Sequence, residues 1–549
     1  MAGFEHQVVY QIYPKSFYDA NDDGLGDLEG IRQKLDYLQW LGVDYLWLTP
    51  FFPSPQRDNG YDVAEYCAVD PSFGTMEDLE ALIRDADTRG IGLMLDMVFN
   101  HTSTNHIWFQ KALAGDPEYM DYYIFRDGEP DQPPTNWVSK FGGSAWAYVP
   151  SLKKWYLHLF DVTQADLNWE NPAVREELKR VVRFWKGKGV KGFRFDVVNL
   201  ISKPADFTDD DRGDGRRFYT DGRHVHEFLQ ELVRDTGIGG MITVGEMSST
   251  SLDNCIRYSA PERKELSMVF SFHHLKIDYA GGDKWALMEP DLGRLRELLA
   301  DWQEGMEAGH GWNALFWCNH DQPRVVSRLG DEDELWEPSA KALALAIHGL
   351  RGTPYVYQGE ELGMTNAHFS RIEDYRDVES QNYYRILRGQ SLSEQEAMEV
   401  IMTRSRDNGR TPMQWNREEN AGFSAGTPWI AVPDWKPEAN VAQEQPREDS
   451  ILGFYRRLIR LRKQSELIAK GSVRFLCPER QGLLAYERCL EGERLAAIVN
   501  LTRQQQRIPL AELGLRDASG WLLDSWERAP ETDGAELLLA PFEGVLLRA

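Results

Sequence analysis

Eight short apolar segments, each followed by a helix-like run, constrain this chain more than any other feature of its sequence. They are VVYQIY (8–13), VDYLWL (43–48), GLMLDMVF (92–99), GFRFDVV (192–198), MITVGE (241–246), LSMVFSF (266–272), NALFWCNHD (313–321) and TPYVYQGEE (353–361). Runs such as MEDLEALIRDADTRG and NPAVREELKRVVRFWKGKG lie between them. A strand that is apolar nearly throughout is buried on both faces, as in a parallel sheet covered by helices. Eight in alternation predict an α/β chain closed into a (β/α)8 TIM barrel. An open doubly wound sheet is the chief rival, but no GxGxxG follows the first strand.

At 549 residues the chain is too long for one simple core. The third segment leads into an excursion rich in aromatics, glycine and proline (QPPTNWVSKFGGSAW), too long for an ordinary βα loop. It reads as an inserted domain over 102–170, which divides the barrel into parts at 1–101 and 171–466. After ILGFYRRLIRLRKQSELI the pattern changes to SVRFLC, LLAYERCL, RLAAIVNLT and GVLLRA, short strands separated by turns. They predict a C-terminal antiparallel β-sandwich over 467–549.

Lys plus Arg number 61 against 87 Asp plus Glu, a net charge of −26 that repels nucleic acid and anionic membranes. MAGFEHQVVYQIYPKSF has no basic stretch followed by an apolar one, so no secretory signal is expected. No apolar run approaches the roughly 20 residues of a membrane span. The five cysteines are scattered, without metal-binding spacing, which favours a reduced cytoplasmic setting. A monomer or weak homo-oligomer is expected.

Catalytic groups of a barrel gather at the C-terminal ends of its strands. Four predicted strands end in charged or imidazole groups: DMVFNH (Asp96, Asn100, His101), FRFD (Arg194, Asp196), TVGE (Glu246) and CNHD (His320, Asp321). The period of two puts Arg194 and Asp196 on one face, where the arginine can hold the carboxylate ionised. Glu246, ending an apolar strand, is better placed to have its pKa raised and carry a proton. Any one of these groups could be a satisfied ion pair, but a merely structural barrel has no reason to charge four strand ends. Three carboxylates with an arginine and two histidines suit glycoside hydrolysis. The abundance of aromatics (18 Trp, 22 Tyr, 24 Phe) suits a site that stacks on sugar faces.

DANDDGLGDLEG (19–30) sets Asp19, Asn21, Asp23 and Asp27 in a glycine-broken run. Such oxygens can fold around one hard cation, with a backbone carbonyl such as that of Leu25 added. The calcium hand-loop pattern wants Gly sixth and Glu twelfth; Gly24 meets the first and Gly30 fails the second. On these residues alone a metal loop and a solvated turn both stand.

DMVFNH, GFRFDVV, the GE ending the fifth segment and NHD resemble, in order and on the matching strands, the four signatures of the α-amylase superfamily of glycoside hydrolases. The likeness extends over essentially the whole chain. It implies Asp196 as nucleophile, Glu246 as general acid/base and Asp321 as transition-state stabiliser, with His101, Arg194 and His320 binding the glycosyl unit. A retaining mechanism through a glucosyl-enzyme on Asp196 follows. In the oligo-glucosidase branch the resemblance further implies a structural Ca2+ held by Asp19, Asn21, Asp23, the Leu25 carbonyl and Asp27, and no organic cofactor.

QRDNGYDVAEY (56–66) and SRDNGRTPMQW (405–415) resemble the exo-acting glucosidases of that superfamily. By this resemblance Asp58 and Arg410 close the far side of the first glucose and Tyr61 stacks on its ring. Val197, next to the implied nucleophile, is more typical of enzymes cutting α-1,6 and related bonds. LNWENPAVREELKRV, VVNLISK, DRGDGRRFYTDG, VGEMSSTSLDNC and FSFHHLKIDYAGGDKW resemble the trehalose-6-phosphate hydrolases of the branch. Oligo-glucosidases usually carry an acidic or neutral residue where this chain has His274-Leu275-Lys276. A basic pair in a chain of charge −26 needs a reason, and a disaccharide phosphate supplies one. Lys276 is the first expected phosphate contact, with His274 and Lys284 weaker ones. The competing expectation is an oligo-1,6- or α-1,4-glucosidase, or a related transglucosylase, acting on unphosphorylated sugars.

Overall fold

The computed structural model describes residues 3–433, 438–518 and 520–548. Its centre is a ring of eight strands: β1 (Val9–Ile12), β2 (Tyr45–Leu48), β3 (Gly92–Met97), β4 (Gly192–Phe195), β5 (Ile242–Met247), β6 (Met268–Ser271), β7 (Ala314–Leu315) and β8 (Thr353–Tyr357). Neighbours pair in parallel from β6 round through β1 to β8 and β7, and a parallel bridge between Val269 and Asn313 joins β6 to β7. The predicted barrel is therefore present, each strand inside its predicted segment except β5, which runs one residue past it to Met247. The register sets Asp96 of β3 opposite Arg194 of β4, which decides much of the site chemistry.

The helices form where caps and periodicity agree. Met76–Thr88 opens on a Thr75/Asp78 capping box and buries Leu79, Leu82, Ile83 and Ala86 along one face. Pro172–Gly187 starts with Pro172 in its first turn, and the Asn171 side chain accepts from Ala173 N–H. Burying a leucine or isoleucine side chain contributes about 1.5–3 kcal/mol, so these faces weld the helices to the ring.

Between β3 and β4 the chain adds antiparallel pairing of its own. His101–Ser103 pairs with Gln164–Asp166, and Phe125–Asp127, Trp146–Val149 and Lys154–Leu157 form a three-stranded sheet. The C-terminal region is a five-stranded antiparallel sheet over Ser472–Leu476, Leu483–Leu490, Glu493–Asn500, Gly544–Arg548 and Trp521–Asp524, accompanied by a three-stranded one. Leu483, Ile498, Ile508, Leu537, Leu539 and Val545 belong to the apolar cluster between the two sheets. Tyr486 ties this region to the barrel helix Trp336–His348 by bonding to the Leu345 and Ala346 carbonyls. Among the described residues no helix is long and apolar enough to cross a membrane.

Candidate active site

The strand ends bring the predicted carboxylates together. Arg194, fully buried, donates to Asp96 and to Asp196 at 2.6 Å each, and its other terminal nitrogen meets Glu246. Asp96 also accepts from Tyr61 O–H at 2.8 Å and Trp47 N–H at 3.1 Å, which fixes it as a support. Burial pushes the Asp196 carboxyl up to about 6; Arg194 opposes this and the Asp96 charge adds to it. Asp196 is thus ionised at neutral pH, but the arginine does not hold it at an ordinary carboxylate value. The next residue, Val197, sits at φ 35°, ψ 38°, a left-handed conformation that a β-branched residue adopts only under strain of about 1–3 kcal/mol. That strained turn directly follows the Asp196 carboxylate at the strand end.

Asp321 follows β7. Arg410 reaches it at 2.9 Å and Arg406 at 3.4 Å. Burial opposes its ionisation, yet His320, where its ring is protonated, and Arg406, Arg410 and Arg194 hold the carboxyl below the usual carboxylate range. His320 is wholly buried, and burial pushes it down to about 3, so it is neutral. Its Nδ1 meets Gln11 at 2.8 Å, and its ring stacks on Tyr61 with centroids 4.9 Å apart.

Asp58 and Arg410, expected to close the far side of the first glucose, do not pair with each other. Asp58 pairs with Arg406, at 2.9 Å, and not with Arg410. Arg410 is fully buried and is spent on Asp321 and on the His320 carbonyl at 2.8 Å, whereas Arg406 faces the cavity. Tyr61 is presented beside Asp58 by a turn in which Asn59 and Gly60 both have positive φ, 49° and 102°. A Cβ on Gly60 would meet the Pro50 carbonyl at 2.8 Å.

Asp58, Tyr61, Asp196, Glu246, Asp321 and Arg406 line a cavity of about 240 Å³, together with His101, Phe160, Phe272 and Tyr279. Lys276, Lys140 and Lys284 lie on its wall as well. Lys284 is paired with Glu379 at 2.6 Å. Among the described residues no carboxylate pairs with Lys276, and burial and the nearby Arg216 lower its pKa. Lys140 Nζ bonds to Ser248 Oγ at 3.0 Å. Burial, with Arg216, pushes its pKa down to about 7. The basic region is therefore Lys276, Lys140 and Arg216, from three separate segments. His274 is not part of it: its Nε2 meets the Phe316 carbonyl at 2.9 Å, and its ring packs on Phe316 and Trp317. Burial pushes it down to about 4, so it carries no charge at neutral pH to offer an anion.

Residues 11–471 match the family model for the alpha amylase catalytic domain. The chain belongs to the alpha-amylase family. It is 53% identical over 543 residues to trehalose-6-phosphate hydrolase of Escherichia coli strain K12, covering 99% of this chain and 98% of that protein. It is 44% identical to oligo-1,6-glucosidase of Parageobacillus thermoglucosidasius, covering 98% of each. A crystal structure of Bacillus licheniformis trehalose-6-phosphate hydrolase superposes with a TM-score of 0.95 at 50% identity, covering 100% of this chain and 99% of that one.

Some parts of this alpha-amylase site escape sequence reasoning. Arg406 lies four residues before Arg410 in the same quoted segment, and only the cavity distinguishes them. Lys140 sits in the aromatic insertion, where the charge count of a segment does not reveal a basic wall. Gln164, which donates to Asp58 at 3.0 Å, carries no signal at all.

The acidic loop after β1 is a network of Asx turns. Asp19 accepts from Asn21, Asp22 and Gly24 N–H groups, Asn21 from Asp23 and Asp23 from Leu25. Asp27 caps Leu28–Gln33 through Gly30 N–H at 2.6 Å. The loop docks on the segment near 424, where Ser424 donates to Asp19 at 2.6 Å. The side chains are turned to backbone donors, and no three His, Cys, Asp or Glu among the described residues are set to hold a metal. Asp23 engages only one of its two carboxylate oxygens in these bonds, and the single Asn21 amide oxygen accepts one N–H and keeps a second lone pair, so the donor chemistry still fits a hard cation. Burial raises the Asp27 pKa, and the Asp19 and Asp23 charges raise it further, a repulsion that a cation would relieve.

Proposed function

We propose that the chain hydrolyses trehalose 6-phosphate to glucose and glucose 6-phosphate, with retention of configuration at the anomeric carbon. The observation that carries this reading is Lys276, a partly buried cation on the cavity wall with no carboxylate partner among the described residues, beside Lys140 on the same wall and near the Arg216 charge. A buried ammonium left unpaired is costly, and a phosphate dianion compensates it. The unphosphorylated glucose fits the end closed by Asp58 and Arg406, so the phosphate belongs to the leaving sugar.

In the first step the Asp196 carboxylate attacks the anomeric carbon while Glu246 gives its proton to the bridging oxygen. Glucose 6-phosphate leaves, and the glucose stays esterified to Asp196. In the second step Glu246 takes a proton from water, whose oxygen attacks the same carbon and frees Asp196. Asp321, ionised among arginines, grips the ring hydroxyls more tightly as the ring flattens. The competing reading, an oligo-1,6-glucosidase, explains the same carboxylates but leaves Lys276 without a purpose.

The reading extends to a structural calcium in the loop of Asp19, Asn21, Asp23, Leu25 and Asp27, and to a cytoplasmic enzyme. Product analysis tests the reaction: equal amounts of glucose and glucose 6-phosphate are expected, with the α-anomer of glucose formed first. Glu246→Gln should abolish turnover of the disaccharide; unchanged hydrolysis in that variant would end the enzyme reading.

A further inference from the structure

His101 lines the cavity, and both of its ring nitrogens are held by neighbouring groups. The Nδ1 of its ring lies 3.1 Å from Asn100 Nδ2, and its Nε2 lies 3.1 Å from the Tyr61 carbonyl. Whether a histidine offers a donor or an acceptor to its ligand depends on which nitrogen carries the proton. The Asn100 amide decides that here, and its own direction is not free. Its Oδ1 accepts from Lys203 Nζ at 2.5 Å, and its Nδ2 donates to Asp166 Oδ2 at 3.1 Å. Lys203 and Asp166 are themselves paired at 2.7 Å. All four residues are buried: Asn100 and Asp166 at 0% exposure, His101 at 1% and Lys203 at 8%.

A flipped amide would set its NH2 against the ammonium and its oxygen against the carboxylate, so the ion pair permits one orientation only. With Nδ2 facing it, Nδ1 must be the acceptor, and Nε2 carries the proton; the Gln164 amide nitrogen, 3.2 Å from Nε2, gives its two hydrogens to Asp58 at 3.0 Å and to the Tyr61 carbonyl at 3.2 Å and has none left for the ring. We propose that Lys203 is a positioning residue for the glycosidase reaction, acting with Asp166 through the Asn100 amide to hold His101 as the neutral Nε2–H tautomer. Three separate segments meet in this device: Asn100 follows β3, Asp166 belongs to the inserted Gln164–Asp166 strand, and Lys203 follows β4. It therefore joins the fold of the insertion to the state of a sugar-binding group. The charges around His101 are consistent with a neutral ring: burial disfavours its cation and Lys203 opposes it, against Asp166 and Asp196, which favour it.

The inference rests on His101 as a sugar ligand, but its first test does not depend on which sugar is cleaved. Nitrogen-15 spectra of the full-length enzyme, with His101 assigned by its absence in His101→Gln, report the tautomer directly. An unprotonated Nδ1 and protonated Nε2 are expected from about pH 6 to 8. A protonated Nδ1 in the wild type would overturn the proposal. Asn100→Asp removes the Nδ2 donor while keeping an oxygen for Lys203, and should drive His101 to the Nδ1–H or doubly protonated form. With p-nitrophenyl α-glucoside, kcat/KM should fall roughly 10- to 100-fold and acquire a new dependence on pH near neutrality. The double variant Lys203→Met/Asp166→Asn, which leaves no unpaired charge, should mix the two tautomers. Unchanged His101 signals in that variant would also overturn the proposal.

Discussion

Arg406 reaches Asp58 at 2.9 Å and Asp377 at 2.5 Å, tying the loop after β2 to the long excursion after β8 at the wall of the cavity. In the proposed reading the pair closes the site behind the first sugar, so its loss should affect every α-glucoside alike. Burial pushes the Asp58 carboxyl up to about 7 despite Arg406 and Arg410, so Asp58→Asn is a mild change in charge. It should raise KM for p-nitrophenyl α-glucoside and for the phosphorylated disaccharide by about tenfold, the worth of one such hydrogen bond. Arg406→Met leaves buried carboxylates unpaired and should cost about 3–5 kcal/mol of stability, seen as a lower Tm. A Asp58→Asn effect confined to the phosphorylated substrate would show that the pair serves the other subsite.

Lys276 and Lys140 should discriminate between substrates. A charge-assisted phosphate contact is worth roughly 1.5–3 kcal/mol, so Lys276→Ala should lower kcat/KM for trehalose 6-phosphate about 10- to 100-fold. The aryl glucoside should lose much less. Lys140→Ala should show the same pattern, whereas Lys284→Ala, which frees Glu379, should not discriminate. Equal losses on both substrates would make Lys276 a support of the fold.

The pH profile should have an acid limb set by the nucleophile. In the proposed mechanism Asp196 attacks as the carboxylate, and burial, with the Asp96 charge against Arg194, pushes its pKa up to about 6. Activity is therefore present above about pH 6 and lost as pH falls through it, nearly tenfold per unit. Asp96→Asn removes one raising charge and should move the limb to lower pH. On the alkaline side Lys140, near 7, loses its ammonium as pH rises. The preference for the phosphorylated sugar should decline there, with no matching change for the aryl glucoside. Profiles that coincide for the two substrates would contradict the assignment of Lys140.

The barrel was legible because its strands are buried on both faces and so are apolar throughout, and the carboxylates because they interrupt that pattern at the strand ends. Contacts between distant segments were not. Arg406 and Arg410 are identical side chains four residues apart, and only packing decides that one meets Asp58 while the other is buried against Asp321. His274 reads as basic in sequence, but its charge depends on a burial that sequence does not state. Strands such as Gln506–Pro509 and Glu531–Asp533 were missed because they are short and largely polar, with little alternation to find.

The loop of Asp19, Asn21, Asp23, Leu25 and Asp27 makes a separate prediction about metal. Elemental analysis should find about one calcium per chain, and Asp23→Ala should lose it and lower Tm with little change in kcat, because an ion bound only to the folded state stabilises that state. Protein free of metal with undiminished stability would refute the assignment.

The most direct test of the central claim compares kcat/KM for trehalose 6-phosphate, trehalose, isomaltose and maltose under one set of conditions. An unpaired Lys276 beside Lys140 predicts that trehalose 6-phosphate exceeds each unphosphorylated sugar by at least about tenfold. Isomaltose turned over as well as or better than the phosphorylated disaccharide would contradict it and make the enzyme an oligo-1,6-glucosidase.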